Sequence, residues 1–367
     1  MRRRNFLRSA GAGLATGVFA HDAPAQQGRT RWRMASSFPK SLDTLYASAE
    51  MIANRVSRLT EGRFEIRVFA GGEIVPALQV LDAVQNGTVE CGQTASYYYV
   101  GKNPALAFDT ALPFGMNARQ QNAWMYYGGG AQLMRELFRQ YNIVTFPAGN
   151  TGTQMAGWYR REINSVADLK GLKMRIAGLA GQILARLGVV PQQIGGADIY
   201  PALEKGTIDA AEWVGPYDDE KLGFHKVARF YYYPGWWEGS AMLSVYVNAK
   251  EFASLPPAHR EALDVACAEA NVHMLASYDA KNTEALRRLV NAGAQLRALP
   301  RPVMEACYKA AHELYDELAS KNAEFKTIYE SWLKFREEQY LWFRVAENTF
   351  DNFVYSMRKP VAGGKPK

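Results

Sequence analysis

The segments AVQNGTVECGQ at 83–93 and ALEKGTIDAAE at 202–212 align without gaps at a constant offset of 119 residues. Each copy has the pattern of an amphipathic helix that ends at a glycine, with a short apolar strand close behind. The matched positions are Ala83 and Ala202, Gly87 and Gly206, Thr88 and Thr207, and Glu90 and Asp209. Because the same chemistry occurs twice, the sequence predicts two related α/β halves rather than a solenoid, whose repeats are much shorter.

Strand and helix patterns continue around both copies. They comprise strand patterns at 31–38, 63–69, 140–146 and 171–178, and helix patterns at 46–59 and 181–187. We expect a first α/β domain over 26–150 and a second over 151–245. The chain would cross between them near 147–160 and again near 235–250. Two domains joined in this way leave a cleft, and clefts between domains are favoured ligand sites.

The C-terminal third, 246–357, has the pattern of long helices. Pro256 and Pro257 precede a periodic segment from Ala258 to Asn291, which predicts a helix of roughly 50 Å that spans both domains. A second helical pattern from about Phe325 to Phe353 is rich in aromatic residues, so it needs an apolar partner surface on this chain or on a second subunit. A homodimer through this helix is therefore one expectation. The tail at 358–367 is expected to be disordered.

The N-terminus has the order of an export signal. Arg2, Arg3, Arg4 and Arg8 precede a weakly apolar stretch at 10–20 and a small-residue site at Ala23–Ala25. The run RRNFL, beginning at Arg3, resembles the twin-arginine signal, which exports folded proteins. The alternative is an ordinary basic secretory signal. In either case residues 1–25 would be removed, and the mature protein is expected in the periplasm.

The composition and charge of the chain argue against some classes of function. Without residues 1–25 the chain keeps 39 basic and 35 acidic residues and has no block of like charge, which argues against nucleic acid as a partner. Cys91, Cys267 and Cys307 are widely spaced and predict neither disulfides nor a metal site. Cys267 and Cys307 lie in helical patterns, where we expect them to be buried.

Five blocks of sequence carry a resemblance to a known family. They are RWRMASSFPK, FAGGEIVPALQVLDAVQNGTVECGQTASYYYVGK, PAGNTGTQMAGW, DLKGLKMRIAGLAG and ALEKGTIDAAEWVGPYDD. In this order they resemble the DctP-type solute receptors of tripartite ATP-independent periplasmic (TRAP) transporters, and most of all the subgroup that binds 2-oxoacids and 2-hydroxyacids. The resemblance implies a two-domain α/β fold of the periplasmic-binding-protein type (type II-like), with hinge strands and a long helix spanning both domains. It also implies delivery of the cargo to membrane subunits.

Arg175 is the predicted clamp for a carboxylate. It lies in the strand pattern KMRIA, just before a turn of small residues, and a guanidinium can grip a carboxylate with two parallel hydrogen bonds. An isolated arginine on a strand is more often an exposed surface residue. The resemblance reverses that interpretation, because Arg175 matches the carboxylate-binding arginine of the family. Asn150, four residues before Gln154, is a further candidate ligand contact.

The resemblance also implies a metal ion that touches the ligand carboxylate. The residues that match its ligands in the subgroup are Gln154, Glu212 and the backbone carbonyl of Trp213. Oxygen ligands of this kind suit Na⁺ or Ca²⁺. Glu238, in GWWEGS, is a weaker candidate for the same shell, with a solvated loop acid as the alternative. No organic cofactor is expected.

Aromatic rings are predicted to form the walls of the site. Tyr97, Tyr98 and Tyr99 follow the first repeat copy as Trp213 follows the second. In a strand, alternation would turn only some of the three tyrosines inward, and either Tyr98 or Tyr99 is expected there. Trp236 and Trp237 are expected to pack in the core or at the hinge.

The resulting hypothesis is a receptor for a small 2-oxo or 2-hydroxy monocarboxylate, similar to pyruvate or lactate. Two alternatives remain open at this stage. A metal-assisted enzyme that acts on oxoacids could use Arg175, Gln154 and Glu212, although no nucleophile or base partner is evident from spacing. A sensory receptor would bind the same ligand but pass the signal to a different membrane partner.

Overall fold

The computed structural model describes residues 29–357, and the predicted export signal and C-terminal tail lie outside them. The strands are β1 Thr30–Ser36, β2 Phe64–Phe69, β3 Cys91–Thr94, β4 Ile143–Asn150, β5 Gly157–Tyr159, β6 Lys173–Arg175, β7 Val190–Gln192, β8 Ala210–Ala211, β9 Phe230–Tyr233, β10 Met242–Asn248 and β11 Gln295–Ala298. The helices are α1 Leu45–Leu59, α2 Val80–Gln85, α3 Ala118–Tyr127, α4 Gly130–Arg139, α5 Gly178–Arg186, α6 Gly196–Glu204, α7 Pro216–Leu222, α8 Ala249–Ser254, α9 Pro257–Asn291, α10 Arg301–Lys321, α11 Ala323–Val345 and α12 Glu347–Met357.

The strands form two mixed sheets. The first sheet has the order β2-β1-β3-β10-β4, and the second has the order β11-β9-β5-β8-β6-β7. The chain passes from the first sheet to the second after β4 and returns between β9 and β10. This arrangement confirms the predicted two-sheet α/β fold.

The two repeat copies have the same local structure. In each copy a helix, α2 or α6, ends at a glycine in the left-handed region, with φ of 72° at Gly87 and 70° at Gly206. The following strand pairs in parallel with the strand that begins its half of the repeat, β3 with β1 and β8 with β6. Glu90 accepts a hydrogen bond from the backbone N–H of Arg33 at 2.7 Å, and Asp209 accepts one from Lys173 at 3.0 Å. The shared acidic position therefore ties each strand to its parallel neighbour.

The long helix α9 links the two sheets. Its 35 residues give a length of about 52 Å, and it follows Pro256 as the sequence predicts. It packs on β4 and α1 at the first sheet and on α7 at the second. Cys267 in α9 and Cys307 in α10 are buried and free, as expected.

The C-terminal aromatic segment differs from the prediction of one helix over 325–353. It forms α11 and α12, separated at Ala346, where ψ is −78°. The first part of α11 buries Phe325, Tyr329 and Trp332 against the body, whereas α12 has no buried residue. The buried residues of this segment are therefore confined to α11 up to Arg336, and α12 forms an ion pair between Glu347 and Arg119 of α3. Among residues 29–357, none of the helices has the length and apolarity needed to cross a membrane.

Candidate functional site

The ends of two parallel strands in the second sheet bring together a buried guanidinium and a buried carboxylate. Arg175 ends β6 and Glu212 directly follows β8, and each is only 1% exposed. The Nη1 atom of Arg175 donates to the backbone carbonyl of Glu212 at 2.8 Å and also to its Oε1 atom. The Nε atom donates to the carbonyl of Ile194 at 3.3 Å. The site thus lies at the carboxyl ends of parallel strands, as in many α/β proteins.

The guanidinium keeps one set of donors free. Arg175 Nη2 is buried and has no hydrogen-bond partner within the described residues. The Trp213 ring lies 4.9 Å from the guanidinium carbon, so one face of the cation is covered. The predicted two-pronged grip is therefore only partly available, because Nη1 and Nε are committed to protein acceptors. Nη2 remains as the donor for an incoming anion.

Several residues of the predicted site have buried polar atoms without a hydrogen-bond partner. Within residues 29–357, Gln154 Oε1, Glu212 Oε2 and Glu238 Oε2 are buried acceptors without a donor, and Asn150 Nδ2 is a buried donor without an acceptor. Leaving such groups unpaired costs free energy, so each needs an explanation. Three acceptors beside one free cationic donor are the set that an anionic ligand together with a cation would satisfy.

Two loops that connect the sheets place Gln154 and Glu238. The backbone N–H of Gln154 donates to the carbonyl of Glu238 at 3.1 Å, and Gly235 donates back to the carbonyl of Gln154 at 3.0 Å. The amide of Gln154 donates to Thr151 Oγ1 at 3.0 Å, which leaves its oxygen free. Glu238 is only 4% exposed, so the alternative of a solvated loop acid is wrong. Its burial could not be read from a glycine-flanked loop sequence.

The charges of the site are strongly coupled. Burial raises the pKa of Glu212, and the charge of Arg175 opposes that rise. Burial also raises the pKa of Glu238 well above its ordinary value, with Glu212 adding to the rise. Burial acts to lower the pKa of Arg175, but Glu212 and the nearby phenols outweigh it and raise that pKa. Two buried carboxyl groups thus share one guanidinium, which leaves room for a second positive charge.

A narrow cavity of about 10 Å³, roughly the space for one water, lies beside these groups, between the two sheets. It is lined by Phe38, Leu45, Tyr97, Tyr98, Thr151, Gln154, Trp213, Val214, Ala241 and Leu243. A ligand the size of pyruvate would therefore require these lining residues to move apart from this conformation. The sequence predicted Tyr98, Gln154 and Trp213, whereas the apolar lining from both sheets was missed.

The three tyrosines do not form a strand. Ser96–Tyr99 is a 3-10 turn in which all three rings are buried. The prediction of strand alternation is therefore wrong. Tyr97 and Tyr98 line the cavity, while Tyr99 turns into the first half and bonds with Thr94 Oγ1 at 2.9 Å. Trp236 and Trp237 are buried, and Trp236 stacks on Phe114 with ring centroids 4.9 Å apart.

The donor set is typical of a hard cation. Across the part of the chain that the structure describes, there is no group of three or more His, Cys, Asp and Glu side chains that could hold a metal ion. Gln154 and the carboxylates of Glu212 and Glu238 offer oxygen atoms only. Such ligands fit Na⁺ or Ca²⁺ rather than a transition metal.

Comparison with known proteins gives the family and several close relatives. Residues 35–322 match the model for the bacterial extracellular solute-binding protein family 7, DctP. A monocarboxylate 2-oxoacid-binding periplasmic protein from Nostoc sp. is 52% identical over 363 residues, which is 97% of this chain and 100% of the relative.

Two solved structures are also similar over nearly their full length. A TRAP transporter solute-binding protein from Bordetella bronchiseptica is 59% identical with a TM-score of 0.89, and the match covers 90% of this chain and 98% of that one. It is a mixed-occupancy dimer with copurified calcium and picolinate in one site and an apo second site. A TRAP periplasmic solute-binding protein from Pseudoalteromonas atlantica, with bound sodium and pyruvate, is 41% identical with a TM-score of 0.86 and coverage of 88% and 99%.

These matches decide between the function classes. The family model and the relatives describe binding proteins, so the enzyme alternative does not apply to this chain. The two-sheet fold, the site at the strand ends and the extent of the matches all agree. The chain belongs to the DctP family of extracellular solute-binding proteins, the receptors of TRAP transporters.

Proposed function

We propose that this receptor binds a small 2-oxo or 2-hydroxy monocarboxylate, similar to pyruvate or lactate, between its two sheets and delivers it to TRAP membrane subunits. One observation carries the proposal. The free Nη2 donor of buried Arg175 lies with the unpartnered acceptors of Gln154, Glu212 and Glu238. The relatives from Nostoc and Pseudoalteromonas, which bind 2-oxoacids and pyruvate, support this choice of ligand.

Arg175 would bind the ligand carboxylate, and Glu212 would hold Arg175 in the required orientation. Arg175 Nη2 donates to the ligand carboxylate, and its Nη1 stays on Glu212, which fixes the orientation of the guanidinium. Asn150 Nδ2 supplies a second free donor. Since Arg175 and Asn150 are buried, each of these bonds is stronger than it would be on the surface.

A Na⁺ or Ca²⁺ ion fits the remaining acceptors. Gln154 Oε1, Glu212 Oε2 and the Trp213 carbonyl would hold it, with Glu238 in the same shell. A bound ion would supply a second positive charge for the ligand carboxylate. Glu212 links both halves of the site, because one of its oxygens holds Arg175 and the other is free.

The two sheets would be the hinged lobes of the receptor, one built on β1–β4 with β10 and the other on β5–β9 with β11, and the C-terminal helices would brace them. Segments 151–156 and 234–241, which join the sheets, are the places where the backbone angles would change on opening. Residues 1–25 would direct twin-arginine export to the periplasm, in keeping with the name of the Nostoc relative.

A homodimer through α11 and α12 belongs to the same proposal. Large apolar side chains are exposed along the end of α11 and along α12: Leu341, Trp342, Val345, Phe350, Phe353, Tyr355 and Met357. An apolar surface of this extent is typical of an interaction site. The dimer of the Bordetella bronchiseptica relative supports a second copy of the chain as the occupant.

Arg175→Lys tests the proposed function. Lysine keeps the charge but cannot hold Glu212 and a ligand carboxylate together, so we expect pyruvate binding to weaken about 100-fold or more, from loss of about two charge-assisted hydrogen bonds. Isothermal titration calorimetry with pyruvate in buffers containing Na⁺ and Ca²⁺ measures the change. Arg186→Lys, on α5 and partly exposed, is the matched control and should bind as the wild type does. Unchanged affinity in Arg175→Lys would rule out the clamp.

A further inference from the structure

The cavity has a polar end and an apolar end. Thr151 and Gln154 belong to the end that continues to Arg175 and Glu212. Phe38, Leu45, Val214, Ala241 and Leu243 provide the apolar lining. A monocarboxylate held by its charged group would therefore direct its carbon chain at this apolar wall.

The ladder between β10 and β4 is irregular beside Leu243, and the extra residue, Ala148, lies on β4. Side-chain alternation along β10 is therefore kept, so Leu243 shares one face with Val245. Leu243 pairs with Gly149, whose position is covered by Met274 of α9. At this end of the strand Leu243 lines the cavity together with Leu45, the first residue of α1.

A buried hydrogen bond holds β10 in place next to Leu243. The hydroxyl group of Ser244 donates to buried Asp109 at 2.5 Å, and Asp109 also accepts from Ser96 at the start of the tyrosine turn. Leu243 therefore cannot move away from the cavity without breaking a buried hydrogen bond. Its position is set by the sheet and does not depend on a ligand.

Leu45 is equally well fixed. It is the first residue of α1 and is 1% exposed. Its carbonyl accepts hydrogen bonds from Gln93 Nε2 and from Ser48 Oγ, both at 2.9 Å. The oxygen of Gln93 in turn accepts from Ser36 at 2.8 Å. Both leucines are thus rigid parts of the wall.

We propose that Leu45 and Leu243 set the upper length of the carbon chain that the receptor accepts, which makes it selective for the shortest 2-oxo monocarboxylates. The inference rests on the proposed function and specifies its substrate class. Each methylene group buried in the cavity should improve affinity about fourfold until the chain meets the wall. Beyond that point, overpacking of fixed side chains should cost about fivefold or more per added methylene.

Truncation of the two leucine side chains to alanine tests the proposal. The dissociation constants of pyruvate, 2-oxobutanoate, 2-oxopentanoate and 2-oxohexanoate are measured by calorimetry for wild type, Leu45→Ala and Leu243→Ala. We expect both variants to accept longer chains, with the ratio of the 2-oxohexanoate constant to the pyruvate constant falling at least about tenfold. Val245→Ala is the matched control, because Val245 is buried two residues further along the same strand and does not line the cavity. It should lower the melting temperature and leave the ratio unchanged.

The outcomes separate the two proposals. Pyruvate binding with an unchanged ratio in both leucine variants would overturn the role of the wall and leave the proposed function standing. A wild type that binds none of the four acids would overturn the proposed function and this inference with it. If Leu243→Ala does not fold, Leu243→Val replaces it, with the same direction of change expected.

Discussion

Glu212 and Glu238 are the residues whose charge state governs the candidate site. Both are buried, and burial raises the pKa of each, well above the ordinary value for Glu238. A carboxylate must lose its proton before it can ligate a cation. The proton and the cation therefore compete for the same oxygens, so ion binding and ligand binding should both depend on pH.

We expect the affinity for Ca²⁺ and pyruvate to fall as the pH is lowered. Because the pKa of Glu238 is raised, the loss should begin at a higher pH than for an ordinary glutamate, whose pKa is about 4.3. Calorimetry at several pH values, in buffers of different ionisation enthalpy, should detect proton release on binding. In Glu238→Gln the release should be smaller and the pH dependence weaker, while the surface variant Glu305→Gln should match the wild type. Binding that does not change with pH would contradict the cation assignment.

Polar site residues were easier to predict than the apolar wall. Arg175, Gln154 and Glu212 stand in distinctive short motifs, and the structure brings Arg175 and Glu212 into contact, with Gln154 on the lining of the adjacent cavity. Leu45 and Leu243 are ordinary apolar residues, separated by nearly 200 positions in the chain. They line one cavity only because of the sheet order, which leaves no local signal in the sequence. Side-chain chemistry can thus be predicted from sequence where cavity shape cannot.

Helix α7 carries two buried acids at its first turn. Asp219 accepts hydrogen bonds from Trp158 at 3.0 Å and from Tyr231 at 2.7 Å, and Asp218 accepts one from Tyr278 at 2.6 Å. Burial nevertheless raises the pKa of Asp218 to about 6 and that of Asp219 to about 7. These acids tie α7 to α9 and to the second sheet, so their ionisation affects the stability of the element that follows Trp213.

The free energy of unfolding should fall as the pH rises through this range. In the unfolded chain the two carboxyl groups lose their protons near pH 4, whereas the folded protein keeps them up to about 6 and 7. Their stabilising contribution is therefore complete below about pH 4 and is lost by about pH 7 to 8, on the order of a few kcal/mol. Urea unfolding of the ligand-free protein at several pH values gives the free energy of unfolding. In Asp219→Asn this free energy should fall less steeply with rising pH than in the wild type, whereas the exposed variant Asp316→Asn should keep the wild-type pH dependence. The same pH dependence in all three proteins would contradict the prediction.

The C-terminal helices show a limit of predicting secondary structure from the sequence. Helical periodicity and aromatic content over 325–353 were predicted correctly, but the break at Ala346 has no glycine or proline to mark it. Contacts with α3 continue across the break, because Arg119 lies over the Phe343 ring of α11 and pairs with Glu347 of α12. Helix α12 buries no residue of its own, so changes on its surface should leave the fold intact.

The double variant Phe350→Glu/Phe353→Glu should convert a dimer into a monomer. Both rings are about two-thirds exposed, at 67% and 66%, and two charges there would have to be buried at the proposed interface. Size-exclusion chromatography with light scattering measures the mass. The control Asn348→Glu/Asn352→Glu adds the same charge to the opposite face of α12 and should remain a dimer. A wild-type protein with the mass of a monomer would contradict the proposed dimer interface.

At the scale of the whole molecule, direct contacts join the two sheets across the mouth of the cavity. Asp43, in the loop before α1, accepts a hydrogen bond from Tyr217 at 3.0 Å and pairs with Lys221 at 2.5 Å, both on α7. Burial opposes ionisation of Asp43, but Lys221 and Tyr217 outweigh it and lower its pKa. On the other side, the Gln193 amide donates to the carbonyl of Tyr98 at 2.8 Å. These contacts exist only while the sheets are close together.

Asp43→Asn should therefore speed ligand release without changing the site itself. The variant loses an ion pair that is about half exposed, together with part of one hydrogen bond, so we expect release of pyruvate to be about two- to tenfold faster. The association rate should change much less, because the open state lacks this contact. Stopped-flow measurement of intrinsic tryptophan fluorescence would follow both rates. Glu73→Gln is the matched control, since Glu73 pairs with Lys40 on the same side of the cavity and does not bridge the sheets. Equal release rates for Asp43→Asn and the wild type would mean that closure depends on the ligand contacts alone.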